Sequence, residues 1–412
     1  MLVHDPASGQ IIAELPETDP GELDAVLAEA CAAQGPWAAE PIGERLRIMA
    51  RFRELVDQRR DSLAETLTSE TGKPITQARN ELAGTLPRLD FFIRNTEAAL
   101  ADETVTASPD QGTEERISHE PLGVVANISA WNYPWFVGTN VFVPALLTGN
   151  AVLYKPSEFA TLTGLAIDEL LQEAGVPPAV FRTLVGAGDL GARLVEAGPD
   201  GLFFTGSHAT GMRIAQAYAR HLGVLQLELG GKDPAYVAAD ADVANAAASL
   251  ADGAFYNNGQ SCCSVERIYV HETVHEQFVD AFVAAVDAMT MGDPREEDTY
   301  LGPLTRPAQA DVLRRQVTQA TAAGARVLRG GLQLPGPGTW FEPTVLVSTR
   351  VSGERPSGFS LSHSARFSWI PVPGKTKTPI GRTSSIASLR LNGAERPCFV
   401  QSGRKATCGT LR

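Results

Sequence analysis

From Gly123 onward, short apolar runs of strand length alternate with segments of helical periodicity. Parallel strands need a crossover connection, usually a helix, and strands covered on both faces are near-continuous apolar runs. The pattern therefore predicts repeated βαβ units that build a parallel sheet between two layers of helices. The strand-like runs are GVVANISA, AVLYKP, FRTLVG, GLFFTG and VLQLELG.

A second series of the same kind follows, with strand-like runs PAYVAAD, SVERIYV and ARVLRG. Helices are predicted between them at 241–257, 272–289 and about 307–323. The first hundred residues read as helical after a short N-terminal segment, and Asp19 and Pro20 mark a helix start. The chain is therefore predicted to be an α/β protein with two sheets.

The end of the chain departs from this pattern. Residues 348–412 contain 11 lysines and arginines but 2 acidic residues, whereas the preceding 347 residues contain 24 and 46. The segment is rich in Ser, Arg, Pro and Gly and shows neither a helical nor a strand period. One interpretation is a disordered basic tail. The other is a reading frame lost near codon 348, which the abrupt charge inversion favours.

Charge and composition exclude several classes of protein. A net charge of −13 argues against a nucleic-acid partner. No apolar run reaches the ~18 residues of a membrane helix, and the start MLVHDPASGQ does not resemble a signal peptide. Five cysteines without framework spacing indicate a reducing compartment. We therefore expect a cytoplasmic protein with neither nucleic-acid nor membrane partners.

Two adjacent cysteines, Cys262 and Cys263, lie between a predicted helix and a predicted strand in FYNNGQSCCSVERIYV. A cysteine nucleophile needs an activating environment and donors for the oxyanion it creates. Gly259 has no side chain to keep backbone N–H groups from the reacting carbon. One cysteine can face a cleft while its neighbour faces the interior. Taken alone, a buried, inert cysteine is the alternative.

Two further side chains suit the same chemistry. Glu228 in QLELGGKDP ends a predicted strand beside a glycine pair, where a carboxylate can point into a crevice at the carboxyl edge of the sheet. Its apolar neighbours predict a desolvated carboxylate suited to general-base work; a solvated edge glutamate is the alternative. Asn132 in ISAWNYPW can fix a neutral amide donor for an oxyanion, or only satisfy its own turn.

Five motifs in order closely resemble the NAD(P)-dependent aldehyde dehydrogenase superfamily: WNYPW, YKPSE, FTGSHATG, LELGG and YNNGQSCC. With ETGKP near the N-terminus, the resemblance covers about residues 1–347. It implies an aldehyde dehydrogenase-like α/β fold whose cofactor domain is a Rossmann-type parallel sheet. The implied parts are the NAD-binding domain (1–98 and 122–233), a bridging or oligomerisation hairpin (99–121), an incomplete α/β catalytic domain (234–347) and a non-family basic tail (348–412).

The resemblance also assigns the chemistry. The family nucleophile is two places after Gly-Gln and corresponds to Cys262, with Glu228 as general base and Asn132 as oxyanion donor. The implied reaction oxidises a small-molecule aldehyde to a carboxylate through a thiohemiacetal and a thioester. Retention of Glu228 favours hydrolysis of the thioester over transfer to coenzyme A.

The resemblance implies a cofactor site in the first sheet. A carboxylate at Glu158 would bond ribose hydroxyls and repel a 2′-phosphate, which favours NAD over NADP. Gly206 and Ser207 open a helix whose N-terminus would meet the pyrophosphate. The implied cofactor-binding residues are Trp131, Lys155, Glu158, Gly188, Gly206 and Ser207.

This sequence departs from the family pattern in two places. Val141 replaces a lysine that the family often has, so a proton relay through that lysine is not expected. The Glu-x-Phe-Gly-Pro motif that should follow FEPTVL is absent, as is the C-terminal strand that joins family dimers and tetramers. We therefore expect weak or no activity from this chain. The alternative to an aldehyde-oxidising enzyme is an inactive remnant that retains cofactor or partner binding without catalysis.

Two motifs suggest other functions. VGAGDLG fits a dinucleotide fingerprint after a strand, but no acidic residue ends a strand ~20 positions later; the resemblance moves the pyrophosphate to FTGS and leaves Gly188 near the adenine. HETVH fits a zinc protease motif, which needs both histidines on one helix face. His271 is expected to end a strand and only His275 to be helical, so no metal site is predicted.

Overall fold

The computed structural model describes residues 1–108, 113–348 and 364–369. The chain begins with a two-stranded antiparallel hairpin and continues into four helices. Asp19 starts the first helical segment as predicted, because its side chain accepts a hydrogen bond from the Gly21 N–H and Pro20 follows it. The elements are β1 (Leu2–His4), β2 (Ile11–Glu14), α1 (Leu23–Ala39), α2 (Ile42–Gln58), α3 (Arg60–Thr71) and α4 (Ile75–Ala99).

A second antiparallel hairpin separates these helices from the first sheet. Its strands are β3 (Glu103–Ser108) and β4 (Thr113–Ile117). Ion pairs from Arg116 to Asp102 and Glu114 lie on its exposed surface.

The first large sheet has five strands, all parallel, in the spatial order β7-β6-β5-β8-β9. Every strand predicted from the alternating pattern is present, and helices connect successive strands, as the βαβ prediction requires. The elements are β5 (Val124–Ile128), α5 (Pro134–Leu147), β6 (Ala151–Lys155), α6 (Thr161–Ala174), β7 (Phe181–Thr183), α7 (Gly188–Ala197), β8 (Gly201–Gly206), α8 (His208–Tyr218) and β9 (Val224–Leu229).

Both faces of this sheet are covered. Val152 and Tyr154 of β6 belong to a core with helices α2 to α6, whereas Ala151 and Leu153 belong to a second core with helices α1, α7 and α8. Successive residues of a strand point to opposite faces, so both sets of side chains are buried. The chain order reverses beside β5, and ligands of open α/β sheets bind in the crevice at such a point.

The second sheet is mixed, with the order β10-β11-β14-β13-β12; β12 is antiparallel to β13 and the other neighbours are parallel. Its first two strands and its helices lie where the sequence pattern predicts them. The elements are β10 (Asp233–Val237), α9 (Val243–Phe255), β11 (Val265–Val270), α10 (His275–Asp287), α11 (Pro307–Ala322), β12 (Arg326–Arg329), β13 (Thr344–Ser348) and β14 (Ser364–Trp369).

The expectation that residues 348–412 contain no regular structure is wrong for Ser364–Trp369, which form a strand between β11 and β13. The sequence SARFSW alternates polar and apolar residues with the period of two that suits a strand. The prediction overlooked this run because basic and polar residues surround it. Residues 349–363 and 370–412, to which the reading-frame hypothesis chiefly applies, lie outside the described residues.

Membrane insertion finds no support among the described elements: none of these helices is both long and apolar enough to span a bilayer.

Candidate active site

The carboxyl ends of β5, β6, β8 and β9 meet at one edge of the first sheet, because these strands are parallel neighbours. Trp131 and Asn132 follow β5, and Lys155 ends β6. Ser207 follows β8, and Glu228 lies at the end of β9. The βαβ pattern thus gathers side chains that are far apart in sequence.

A cavity of about 540 Å³ lies at this edge. Its walls come from the segments that follow β5, β6 and β8 and from the start of α7. All six residues predicted to bind the cofactor line it: Trp131, Lys155, Glu158, Gly188, Gly206 and Ser207.

Lys155 is the buried cation of this cavity, with 3% of its surface exposed. Its Nζ donates a hydrogen bond to the Pro156 carbonyl at 3.1 Å, and its aliphatic stem passes over Gly191. Burial lowers the pKa of Lys155, and the nearby Glu158 carboxylate opposes that shift. The Ser157 hydroxyl donates to Glu158 at 3.1 Å. The cavity therefore combines a fixed cation with an acceptor.

Ser207 caps α8, since its hydroxyl accepts a hydrogen bond from the Thr210 N–H at 3.2 Å. The remaining N–H groups of this first turn favour an anion. Two arginines that sequence reasoning missed also line the cavity, Arg213 on α8 and Arg306 before α11. The Arg306 guanidinium lies 5.8 Å from the centre of the Phe159 ring, within cation–π range. Nothing in the local sequence links Arg306 to the first sheet.

The turn before the cysteines is left-handed over three residues. Asn257, Asn258 and Gly259 have φ values of 53°, 56° and 69°. Asparagine adopts this region more readily than other non-glycine residues, and bonds from the surrounding structure stabilise the turn. The Asn258 amide donates to the Pro303 carbonyl at 2.9 Å and its oxygen accepts from the Gly302 N–H at 2.8 Å.

Cys262 and Cys263 are both exposed, so the expectation that one of them faces the interior is wrong. They lie in a turn that the bond from the Ser264 N–H to the Ser261 carbonyl closes, and the alternation of a strand begins only at Val265. Partial burial and the neighbouring Cys263 raise the pKa of the Cys262 thiol. This environment therefore disfavours the thiolate form.

Asn132 reaches the cysteine turn. Its Nδ2 donates to the Gln260 carbonyl at 2.9 Å, and its own carbonyl accepts from the Asn257 amide at 3.1 Å. Its Oδ1 accepts from the Tyr133 N–H at 3.1 Å, which is the local turn bond foreseen as the alternative. An amide nitrogen carries two N–H groups, and the Gln260 bond uses one of them.

The desolvation expected for Glu228 is wrong. Its side chain is exposed, and its Oε1 accepts a hydrogen bond from Gln226 at 3.2 Å. Strand β9 is the last strand of the sheet, and its residues alternate between exposed and partly buried. Glu228 lies on the exposed face. The following glycine turn does reach the cysteines, because the Gly231 N–H donates to the Cys262 carbonyl at 3.2 Å.

Sequence reasoning gave the ETGKP segment no chemical role. Two buried carboxylates, Glu70 of this segment and Glu81 shortly after it, accept hydrogen bonds from the first N–H groups of two helices. Helix α5 has no side-chain cap of its own, and Glu81 accepts hydrogen bonds from the Trp135 and Phe136 N–H groups at 2.9 and 3.3 Å. Glu81 also forms a buried ion pair with Lys73. Helical periodicity does not predict this ion pair, because Lys73 precedes α4 and Glu81 lies eight residues later, within it.

Glu70 does the same for α6, which also lacks a side-chain cap. Its two oxygens accept from the Leu162 and Thr163 N–H groups at 2.8 and 2.7 Å, and the Thr163 hydroxyl donates to it as well. Burial raises the pKa of Glu70 to about 7, although the Thr163 bonds oppose the shift.

The HETVH histidines are placed as the sequence predicted. Strand β11 ends at Val270, His271 caps a short 3₁₀ turn, and His275 is the first residue of α10. They therefore do not share a helix face. Within residues 1–108, 113–348 and 364–369, no three His, Cys, Asp or Glu side chains come together as metal ligands.

Comparison with known proteins gives a consistent result. A statistical model of the aldehyde dehydrogenase family matches residues 1–353. A betaine aldehyde dehydrogenase of Cereibacter sphaeroides is 37% identical over 349 residues, which are 84% of this chain and 71% of that protein.

Solved structures agree with the sequence comparison. A NAD-dependent aldehyde dehydrogenase from Sinorhizobium meliloti is 31% identical with a TM-score of 0.83, over 90% of this chain and 74% of that one. An NADP-dependent enzyme of E. coli is 28% identical with a TM-score of 0.84, over 90% and 77% of the two chains. The motifs, the fold and these similarities lead to one conclusion: the chain belongs to the aldehyde dehydrogenase family.

Proposed function

We propose that this protein oxidises an aldehyde to a carboxylate with NAD, through a covalent intermediate on Cys262. The main support is that the cavity at the sheet edge gathers all six expected cofactor residues, while Asn132 from the same edge bonds to the cysteine turn. The residues present fit a dinucleotide. The cavity is large enough for much of one, and the capped start of α8 and the buried Lys155 favour phosphates and ribose hydroxyls.

The proposed steps use three side chains. The Cys262 sulfur adds to the aldehyde carbon, and since the pKa of its thiol is raised, Glu228 takes the thiol proton as the C–S bond forms and passes it to solvent. The second N–H of Asn132 and the Cys262 backbone N–H stabilise the oxyanion. When bound, NAD supplies a hydride acceptor. Glu228, exposed and able to exchange protons with solvent, activates the water that cleaves the thioester.

Replacing Cys262 by Ala is expected to reduce aldehyde oxidation by at least ~1000-fold, because the nucleophile is lost. NADH formation with a panel of aldehydes measures the effect, and Cys263→Ala is the matched control that should retain activity. Equal loss in both variants, or full activity without Cys262, contradicts the assignment. An unaltered protein that binds NADH but turns over no aldehyde would be a binding remnant, the alternative that the absence of a Glu-x-Phe-Gly-Pro motif after FEPTVL favours.

Replacing Glu158 by Gln is expected to improve NADPH binding relative to NADH by about tenfold, or roughly 1.4 kcal/mol. The change removes a negative charge that would repel a 2′-phosphate while keeping an oxygen for the ribose hydroxyls. Fluorescence titration with the two reduced cofactors measures the ratio. Glu169→Gln, on the exposed side of α6, is the control. An unchanged ratio means that Glu158 does not select the cofactor.

Compartment and assembly complete the proposal. A thiol nucleophile beside a second exposed thiol needs reducing surroundings, which supports the cytoplasm. We propose a homodimer or tetramer, with the hairpin of β3 and β4 as the bridging element. Val105 and Ile117 of this hairpin are exposed apolar side chains, as expected for a surface that another chain covers.

A further inference from the structure

Helix α4 begins against the cysteine turn. The Gln77 side chain lies between them, with 2% of the residue exposed. Its Oε1 accepts a hydrogen bond from the Asn257 N–H at 2.8 Å, and its Nε2 donates to the Tyr300 carbonyl at 2.9 Å. One side chain therefore joins three segments of the protein.

The hydrogen bond from the Asn257 N–H to Gln77 lies at the start of the left-handed turn. Asn257 is the first of the three left-handed residues and is 1% exposed, so water does not reach its N–H in place of Gln77. A buried N–H without a partner costs about 1–3 kcal/mol. Without Gln77, the turn would lose one of the hydrogen bonds that stabilise this shape.

The same helix holds the other half of the site. Glu81 lies one turn after Gln77 on the same face of α4 and binds the first N–H groups of α5, directly after Asn132. Asn132 in turn bonds to Gln260 of the cysteine turn. Two side chains of α4 therefore support the two segments that carry the Asn132 amide and the Cys262 thiol.

We propose that Gln77 is a positioning residue, which fixes the left-handed turn and thereby the depth and orientation of the Cys262 thiol. The inference rests on the proposed function for the role of Cys262. It adds that the position of the thiol depends on a residue of the N-terminal helices, 185 positions earlier in the chain.

The test compares Gln77→Met with Gln77→Glu. Methionine has a similar length and forms neither bond. A glutamate keeps a side-chain oxygen that accepts from the Asn257 N–H, and when ionised it loses only the donor to Tyr300. The readout is the rate at which iodoacetamide alkylates Cys262 between pH 6 and 10, followed by mass spectrometry of the cysteine peptide.

A released turn no longer holds the Cys262 thiol in the surroundings that raise its pKa, so its alkylation at pH 7 should become at least threefold faster in Gln77→Met. The pH profile should move toward that of an ordinary thiol, and Gln77→Glu should restore the original rate. The exposed Cys31 of α1, measured in the same samples, should not change. Equal Cys262 rates in the parent and Gln77→Met overturn the proposal, as do equal changes at Cys31 and Cys262.

Should the methionine variant not fold, Gln77→Leu makes the same comparison, because leucine is shorter and also forms neither bond. An unchanged Cys262 rate in that variant also overturns the proposal. The alkylation assay needs neither aldehyde nor cofactor. Absence of aldehyde oxidation would refute the proposed function and would leave the result for Gln77 standing.

Discussion

Replacing Glu81 by Ala is expected to lower the free energy of unfolding by about 3–5 kcal/mol, because it leaves the buried Lys73 ammonium without its counter-ion. Both side chains are buried, and Glu81 also completes the start of α5. The Lys73 ammonium lies 4.0 Å from the centre of the Tyr133 ring, which compensates only part of the loss. Urea unfolding followed by circular dichroism measures the effect.

Two controls define the cause. The exposed pair of Glu44 and Arg47 on α2 has the same charges, and Glu44→Ala should leave stability without measurable change. The double variant Lys73→Met with Glu81→Gln removes both charges and keeps an acceptor for the α5 N–H groups, so it should recover most of the loss. A loss below ~1 kcal/mol in Glu81→Ala would contradict the account, because a charge left unpaired in the interior costs more than that.

Stability is expected to fall by about 3 kcal/mol as the pH rises from about 4.5 to about 7, through the Glu70 carboxyl. Burial raises the pKa of this group from 4.5 to about 7 in the native protein. Between these values the native state holds a proton that the unfolded chain has released, so raising the pH favours unfolding. The contribution is fully present below the unfolded pKa, and the dependence ends above the native pKa.

The variant Glu70→Gln isolates this contribution. It has no titrating group, and its amide oxygen still accepts from one of the α6 N–H groups. The difference in unfolding free energy between the parent and the variant, measured in urea at several pH values from 4.5 to 8.5, cancels the other titrating groups. This difference should decline through the window and become flat above it. Parallel curves would show that Glu70 titrates alike in both states.

The sequence predicted the helices and strands more completely than the tertiary contacts between their side chains. The strands of the first sheet are continuous apolar runs, and burial of both faces is the physical reason why β5 and β6 read that way. Parallel strands also bring their carboxyl ends together, so a site at this edge was predictable from the strands, whereas its six cofactor residues came from the resemblance to a family. The resemblance to a family then distinguished Cys262 from Cys263, which periodicity alone did not do.

Features set by position within the fold were missed. Glu228 is exposed because β9 is an edge strand, and nothing in the strand's own sequence says which neighbours it will have. Gln77 and Glu81 are polar residues on a helix, which normally indicates a solvated face. Their burial depends on partners 180 and 54 residues away. Such pairs follow from the tertiary fold and carry no local signal.

The left-handed cysteine turn takes its bonds from distant parts of the chain, and this affects when the thiol acquires its native surroundings. Gln77 precedes Asn257 by 180 residues, and the Thr305 N–H that bonds to Gln260 follows by 45. Contacts of such separation form late in folding, because loop closure must come first. At 5–20 residues per second, a ribosome adds Thr305 roughly 2–9 s after Cys262. During that interval two neighbouring thiols are present in a turn that cannot yet form, so a reducing environment protects this protein before it is folded.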